Sequence, residues 1–131
     1  MDKDVKMVIV MRDRFEGFDG KVITPRKGKF VAQGCHAACA FLIKKIQENK
    51  KFSEVEQEWL RTGTKKICVK VDSEEELILI HQKAKLAGIL VNLVVDSGLT
   101  EFDGVPTQTC LALGPDLGKK IDILTGHLKL L

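Results

Sequence analysis

The chain has 131 residues, 44% of them hydrophobic and 30% charged, with a formal net charge of +3 at pH 7. That length points to one domain, residues 1–131, with a core of its own, and the even mix of apolar and charged residues excludes a disordered chain and a membrane bundle. The small basic excess suits a polyanionic partner such as RNA, and suits a merely solvated lysine face as well.

Residues 5–11, VKMVIVM, are apolar, β-rich and bounded by charges, which predicts a strand buried along most of its length. The run is short and broken by Lys6, so it is neither a membrane span nor a secretory signal, and a cytoplasmic protein without membrane contact is expected. Residues 13–27 follow, holding Gly17, Gly20 and Pro25, with a turn expected at Asp19-Gly20 and a short extended pair around Val22 and Ile23. Loops of that length are uncommon in compact domains unless they do something.

A helix is predicted from Gly28 to about Gln47, entered through the basic Arg26-Lys27-Gly28-Lys29. At about 100° per residue, Lys29, Gln33 and His36 fall within about 60° of one another on one stripe. Val31, Cys35, Ala38, Phe41, Leu42 and Ile46 repeat at the three-and-four spacing of a buried opposite face. A cation, an amide and an imidazole thus gather beside a helix N-terminus, where free N–H groups and the dipole favour a phosphate or a developing oxyanion. The four cysteines, Cys35, Cys39, Cys68 and Cys110, lie in apolar segments without a C-x-x-C pair and read as small buried hydrophobes in a reducing compartment. His36 points about 100° away from Cys35 and no second ligand pair follows, so no metal site is expected.

A second helix starts at Ser53, where Glu56 completes a capping box, and ends at Gly63. Residues 66–71, KICVKV, are a strand; Ser73 with Glu76 opens a third helix, apolar at Leu77, Ile80, Ala84 and Ala87 and closed by Gly88. Residues 89–95 are a further strand, a loop spans 96–106, and a last strand covers 109–113 before Gly114-Pro115 stops it. Residues 117–124 form a short helix ahead of the apolar tail 128–131. Strands alternating with helices predict a three-layer α/β/α domain around a four-stranded mixed sheet, mostly parallel. The direct link between the last two strands makes one of the four antiparallel.

Ligands of open α/β sheets gather beyond the carboxyl ends of the parallel strands. The loop DSGLT, residues 96–100, is therefore expected to approach Lys29, Gln33 and His36. Asp96 is either a turn former, since Asp-Ser-Gly is good turn chemistry, or a functional acid. Thr100, Thr107 and Thr109 have the simpler reading of favoured strand residues, and His36 that of an ordinary histidine; their convergence on one edge supports a site.

Five segments, GKFVAQGCHAA (28–38), WLRTGTKKICVKVDSEEEL (59–77), DSGLT (96–100), TQTCLALGP (107–115) and ILTGHLKLL (123–131), together resemble the type II peptidyl-tRNA hydrolases, the archaeal and eukaryotic form of the enzyme. The resemblance runs in order across most of the chain. It implies a cytoplasmic hydrolase that cleaves the ester between a peptide and the terminal ribose of tRNA. It also implies a homodimer without a required metal or organic cofactor. The family's site falls on Lys29, Gln33, Asp96, Thr100 and Thr109, with Gly28 at the entry to the helix and His36 next along the stripe. Two departures are present. Met11-Arg12-Asp13-Arg14-Phe15 leads into a glycine-rich insertion where the family has a Met-Arg-x-Asp-Leu pattern and a short link, and Ser97 stands where alanine is common.

In the mechanism this implies, Asp96 orients or deprotonates a water, and Thr100 and Thr109 help to place water or substrate. Lys29 stabilises the oxyanion or holds a terminal phosphate, and Gln33 hydrogen-bonds the ester or ribose. His36 is either the base or a structural neighbour. No serine or cysteine is placed beside a base, so direct attack by water is expected. The rival readings are a non-catalytic tRNA- or protein-binding paralogue and a hydrolase of a smaller ester or amide, with residues 13–27 closing the site.

Overall fold

A computed structural model describes residues 4–98, 102 and 104–131. The elements are β1 (Val5–Arg12), β2 (Phe15–Glu16), β3 (Val22–Ile23), α1 (Lys27–Gln47), α2 (Glu54–Arg61), β4 (Lys66–Val71), α3 (Glu74–Leu86), β5 (Val91–Asp96), β6 (Thr107–Leu117) and α4 (Gly118–Thr125). The main sheet has the order β4-β1-β6-β5, and β2 with β3 forms a separate small hairpin inside the insertion. β1 pairs with β4 in parallel, whereas β6 is antiparallel to both β1 and β5. Three strands therefore point one way, but inserting β6 between two of them leaves a single parallel pairing.

Alternation along β1 builds the three layers. Val5, Met7, Ile9 and Met11 face Ala37, Phe41 and Trp59 of α1 and α2, while Val8 and Val10 face Leu77, Ile80 and Ile121 of α3 and α4. Because both faces are covered, the strand is apolar almost throughout. Lys6 is the exception, and it is neutralised by Asp122 of α4 at 2.6 Å. Ser53 and Glu56 form the expected capping box of α2, and Trp59 one turn later is 1% exposed with its indole N–H on Lys65 O at 2.8 Å. The tail runs beside β4, with Lys70 N–H donating to Lys129 O and Leu131 N–H to Cys68 O. It covers the outer edge of that strand, which would otherwise offer an open ladder.

Three expectations are corrected. β6 does not stop at Gly114-Pro115 but continues to Leu117, because a bulge opposite Met7 absorbs both residues and pairing resumes at Asp116 with Lys6. Gly114, at φ +91°, makes that bulge possible and its N–H bonds Leu90 O at 2.8 Å. Cysteines 35, 39 and 68 are exposed, and Cys110 alone is buried. Finally, α1 is rotated about a third of a turn from the expected orientation. It buries Gln33, Ala37, Ala38 and Phe41, and leaves Val31, Cys35 and Ile46 outside. An amide can occupy the inner face because polar partners meet it there, as described next.

Candidate active site

The carboxyl ends of β1 and β5, the amino end of β6 and the first turns of α1 come together at one edge. Asp96 closes β5 and is in register with Thr107. Its Oδ1 accepts the Gly98 N–H at 2.9 Å, the two-residue turn that Asp-Ser-Gly favours. Its Oδ2 accepts from Gln33 Nε2 at 3.2 Å and is in an ion pair with Lys29 Nζ. Asp96 is thus both turn former and member of the cluster.

Thr109 owes its place to a second bulge. Val94 lies opposite Cys110 and Val95 opposite Gln108, so Thr109 is the extra residue on β6. Simple alternation would send the side chains of Thr109 and Cys110 to opposite faces; at the bulge both reach α1. The Thr109 hydroxyl donates to Gln33 Oε1 at 2.9 Å, and Cys110 Sγ donates to Gln33 O at 3.3 Å. The hydroxyl fixes which end of the Gln33 amide is oxygen and aims Nε2 at Asp96. Burial pushes the Cys110 thiol up to about 12, so it is an inert member of the core.

Gln33, Asp96 and Thr109 are 7%, 9% and 1% exposed. Burial alone would raise the Asp96 carboxyl, but the Lys29 hydrogen bond and charge, the Gly98 N–H and the Ser97 side chain outweigh it and hold the pKa below its ordinary value. A carboxylate so held is a weak proton acceptor and a firm negative point. Lys29 Nζ also lies 5.6 Å from the ring centre of Phe102, which stacks on Phe15 of the insertion at 4.6 Å, which in turn carries the Arg12 guanidinium at 4.3 Å.

Of the residues singled out in the sequence, Lys29, Gln33, Asp96 and Thr109 are brought into one network. Gly28 is in the first turn of α1, exposed, with open space where a Cβ would stand. His36 is exposed, and among the described residues no hydrogen bond or ion pair joins it to the network. Thr100 lies outside the described residues. Gly98 was read only as part of a turn, and Phe15 and Phe102 were not read as neighbours of the site, although an apolar residue in the polar segment EFDG is the kind of signal that marks a buried anchor in a loop.

Thr109→Val keeps the shape and removes the donor, leaving the Gln33 oxygen buried without its hydrogen bond. A loss of about 1–3 kcal/mol is expected in denaturant unfolding. Unchanged stability would mean that the amide turns freely.

A family model described as peptidyl-tRNA hydrolase PTH2 matches residues 5–131. Among curated proteins, the chain is similar to the peptidyl-tRNA hydrolase of Methanocaldococcus jannaschii, 44% identical over 127 residues, covering 97% of this chain and 100% of that one. It is 42% identical to the protein of the same name from Nanoarchaeum equitans, over 96% of this chain and 98% of the relative. The Thermoplasma volcanium peptidyl-tRNA hydrolase is 39% identical over 97% of this chain and 98% of its own length.

Proposed function

The chain belongs to the peptidyl-tRNA hydrolase PTH2 family, and from that premise we propose that it cleaves the ester between a peptide and the terminal ribose of tRNA by direct attack of water. The observation that carries the proposal is the buried network of Lys29, Gln33, Asp96 and Thr109 at the mouth of α1. Ester hydrolysis needs a placed water and positive charge where the carbonyl oxygen becomes anionic. Asp96 orients the water, whose proton passes by way of the carboxylate to the departing ribose oxygen as the C–O bond breaks, and Lys29 meets the oxyanion; Gln33 keeps the two aligned and can reach the ester or ribose. Thr109 acts behind them as a positioning residue, since its hydroxyl is taken by Gln33. Gly28 gives the substrate unhindered approach to the helix N-terminus, and Thr100 retains its role on the family pattern alone. The exposed basic residues Arg26, Lys27, Lys44, Lys50, Lys51 and Arg61 suit the phosphates of the tRNA.

The low pKa of Asp96 separates this mechanism from one in which His36 is the base. Depressed in the fold, Asp96 stays ionised throughout the neutral range. Its share of both activity and stability is present above the ordinary aspartate pKa, about 3.9, and is lost only as the pH falls through the lower folded value. The kcat/KM for purified peptidyl-tRNA should therefore hold level down the acid side until Asp96 protonates. A loss of activity in His36→Gln as large as that in Asp96→Asn would give the proton to His36. Run beside it, a short N-acetylaminoacyl methyl ester should be turned over far more slowly than peptidyl-tRNA. A preference for the small ester would overturn the tRNA reading.

The proposal extends to a homodimer in the cytoplasm. Val31, Ile43 and Ile46 stand 66%, 51% and 75% exposed on one side of α1, an apolar stripe that self-association would cover. No described helix is long and apolar enough to cross a membrane.

A further inference from the structure

The two edges of the main sheet differ. Along β4 the chain's own tail supplies a partner, with Val69 bridged to Leu130 and Lys70 N–H donating to Lys129 O. On the other side β5 pairs with β6 alone.

The register of β5 fixes which of its main-chain groups are left outside. Gly114 N–H bonds Leu90 O at 2.8 Å, so those two residues face each other as a bonded pair. Bonded and non-bonded pairs alternate along an antiparallel ladder, which turns the N–H and C=O of Asn92 and Val94 towards β6 and those of Val91, Leu93 and Val95 outward. The Thr109 hydroxyl of β6, which reaches Val94 O at 3.5 Å, agrees. Among the described residues nothing bonds the outward groups. Nor is the edge guarded, because residues 91–95, VNLVV, hold neither the charge nor the proline with which open strands repel one another. The bulge at this end lies on β6 and leaves the outer side of β5 regular, and Val95 is 56% exposed.

Where the edge leads decides what it can take. β5 ends at Asp96, whose carboxylate is paired with Lys29. A chain added to the edge would lie about 4.8 Å from β5, so one end of it stands beside a member of that ion pair. In peptidyl-tRNA the esterified carbonyl is the carboxyl end of the peptide. With that carbonyl at Asp96, the peptide runs back along the edge towards Val91, parallel to β5. Main-chain bonds are blind to side chains, which suits a class of substrate defined by a backbone and an ester and by no sequence.

We propose that the outer edge of β5 binds the peptide part of peptidyl-tRNA as an added parallel strand, the N–H and C=O groups of Val91, Leu93 and Val95 pairing with its last residues while the ester sits at Lys29 and Asp96. The proposal rests on the peptidyl-tRNA reading and gives the acyl side of the substrate its subsite.

The main test needs no variant of the protein. The wild type is given N-acetylated oligoalanyl-tRNAs, from a single alanine up to about six, and the longest is remade with one N-methyl group on each amide in turn. The kcat/KM should rise by about ten-fold as the peptide grows to match β5 and then level off, mainly through KM. N-methylation should cost about five-fold at alternate residues and little at those between, because only every second N–H of an added strand faces β5. Val91→Pro removes an outward N–H at the first position of the strand, where proline is tolerated, and should lower the ratio of the longest substrate to the shortest. A methylation profile without alternation overturns the subsite. So does a kcat/KM that is level with length, as an edge taken up by a second copy of the chain would give, or an unchanged ratio in a folded Val91→Pro. If N-acetylalanyl-tRNA itself is not cleaved, the underlying function is what has failed.

Discussion

Asp96→Asn is expected to lower kcat/KM for peptidyl-tRNA by about three orders of magnitude in a protein that still folds. The substitution keeps the side chain's shape, and an amide oxygen can still accept the Gly98 N–H. At the other oxygen, however, the amide would present N–H groups to Gln33 Nε2 and Lys29 Nζ, both of them donors. The charge that balances Lys29, and that in the proposed mechanism orients water, is gone. Lys29→Ala should lose activity on a similar scale from the opposite side. It removes the cation proposed to meet the oxyanion and lets the Asp96 pKa rise, since Lys29 supplies the largest of the influences that lower it. Residues that act as a unit are not additive, so the double variant should be little worse than either single one. Single-turnover hydrolysis, with circular dichroism as the control on folding, measures this; full activity in either variant would remove that residue from the mechanism.

The second large effect is expected far from any charge, at Gly98. Its φ of +82° disfavours any other residue, and a Cβ there would lie 2.0 Å from Val105 O and 2.6 Å from its carbonyl carbon. Those are backbone atoms, with no flexible side chain to give way. Gly98→Ala must therefore move the turn that donates to Asp96 Oδ1, and should cost at least about a hundred-fold in kcat/KM together with about 1–3 kcal/mol of stability. Gly104→Ala is the matched control. It has a similar φ of +75° but open space around the added carbon, and should cost only the backbone strain of about 1–2 kcal/mol, with activity retained. Equal behaviour of the two would mean that the turn does not hold the carboxylate.

Much of the architecture was legible because it rests on local rules. The capping residues Ser53 and Ser73, the closing glycines Gly63 and Gly88, and the unbroken apolar run of β1 each state their structure within a few residues. Lys29, Gln33 and Asp96 were legible as polar groups on elements that the topology brings to one edge. What could not be read was set at a distance. The bulge that redirects Thr109 is a mismatch between two strands, visible only once they are paired. The rotation of α1 follows from Gln33 having partners on β5 and β6, and those partners outweigh the apolar periodicity that would have turned Val31 and Ile46 inward. His36 stays outside for the same reason, as Gln33 occupies the inner edge of the stripe. Phe15 and Phe102 meet across 87 residues, and neither neighbourhood announces the other.

Gln33 is bonded to groups 63 and 76 residues further along the chain. Helix α1 can form early from its own sequence, but its amide must wait for β5 and β6, and closing so long a loop is among the slower steps of folding. A protein under synthesis is itself a peptide esterified to tRNA. This one carries its cation, Lys29, from the start, yet the centre that would use it stays unassembled until β6 has emerged and joined the sheet.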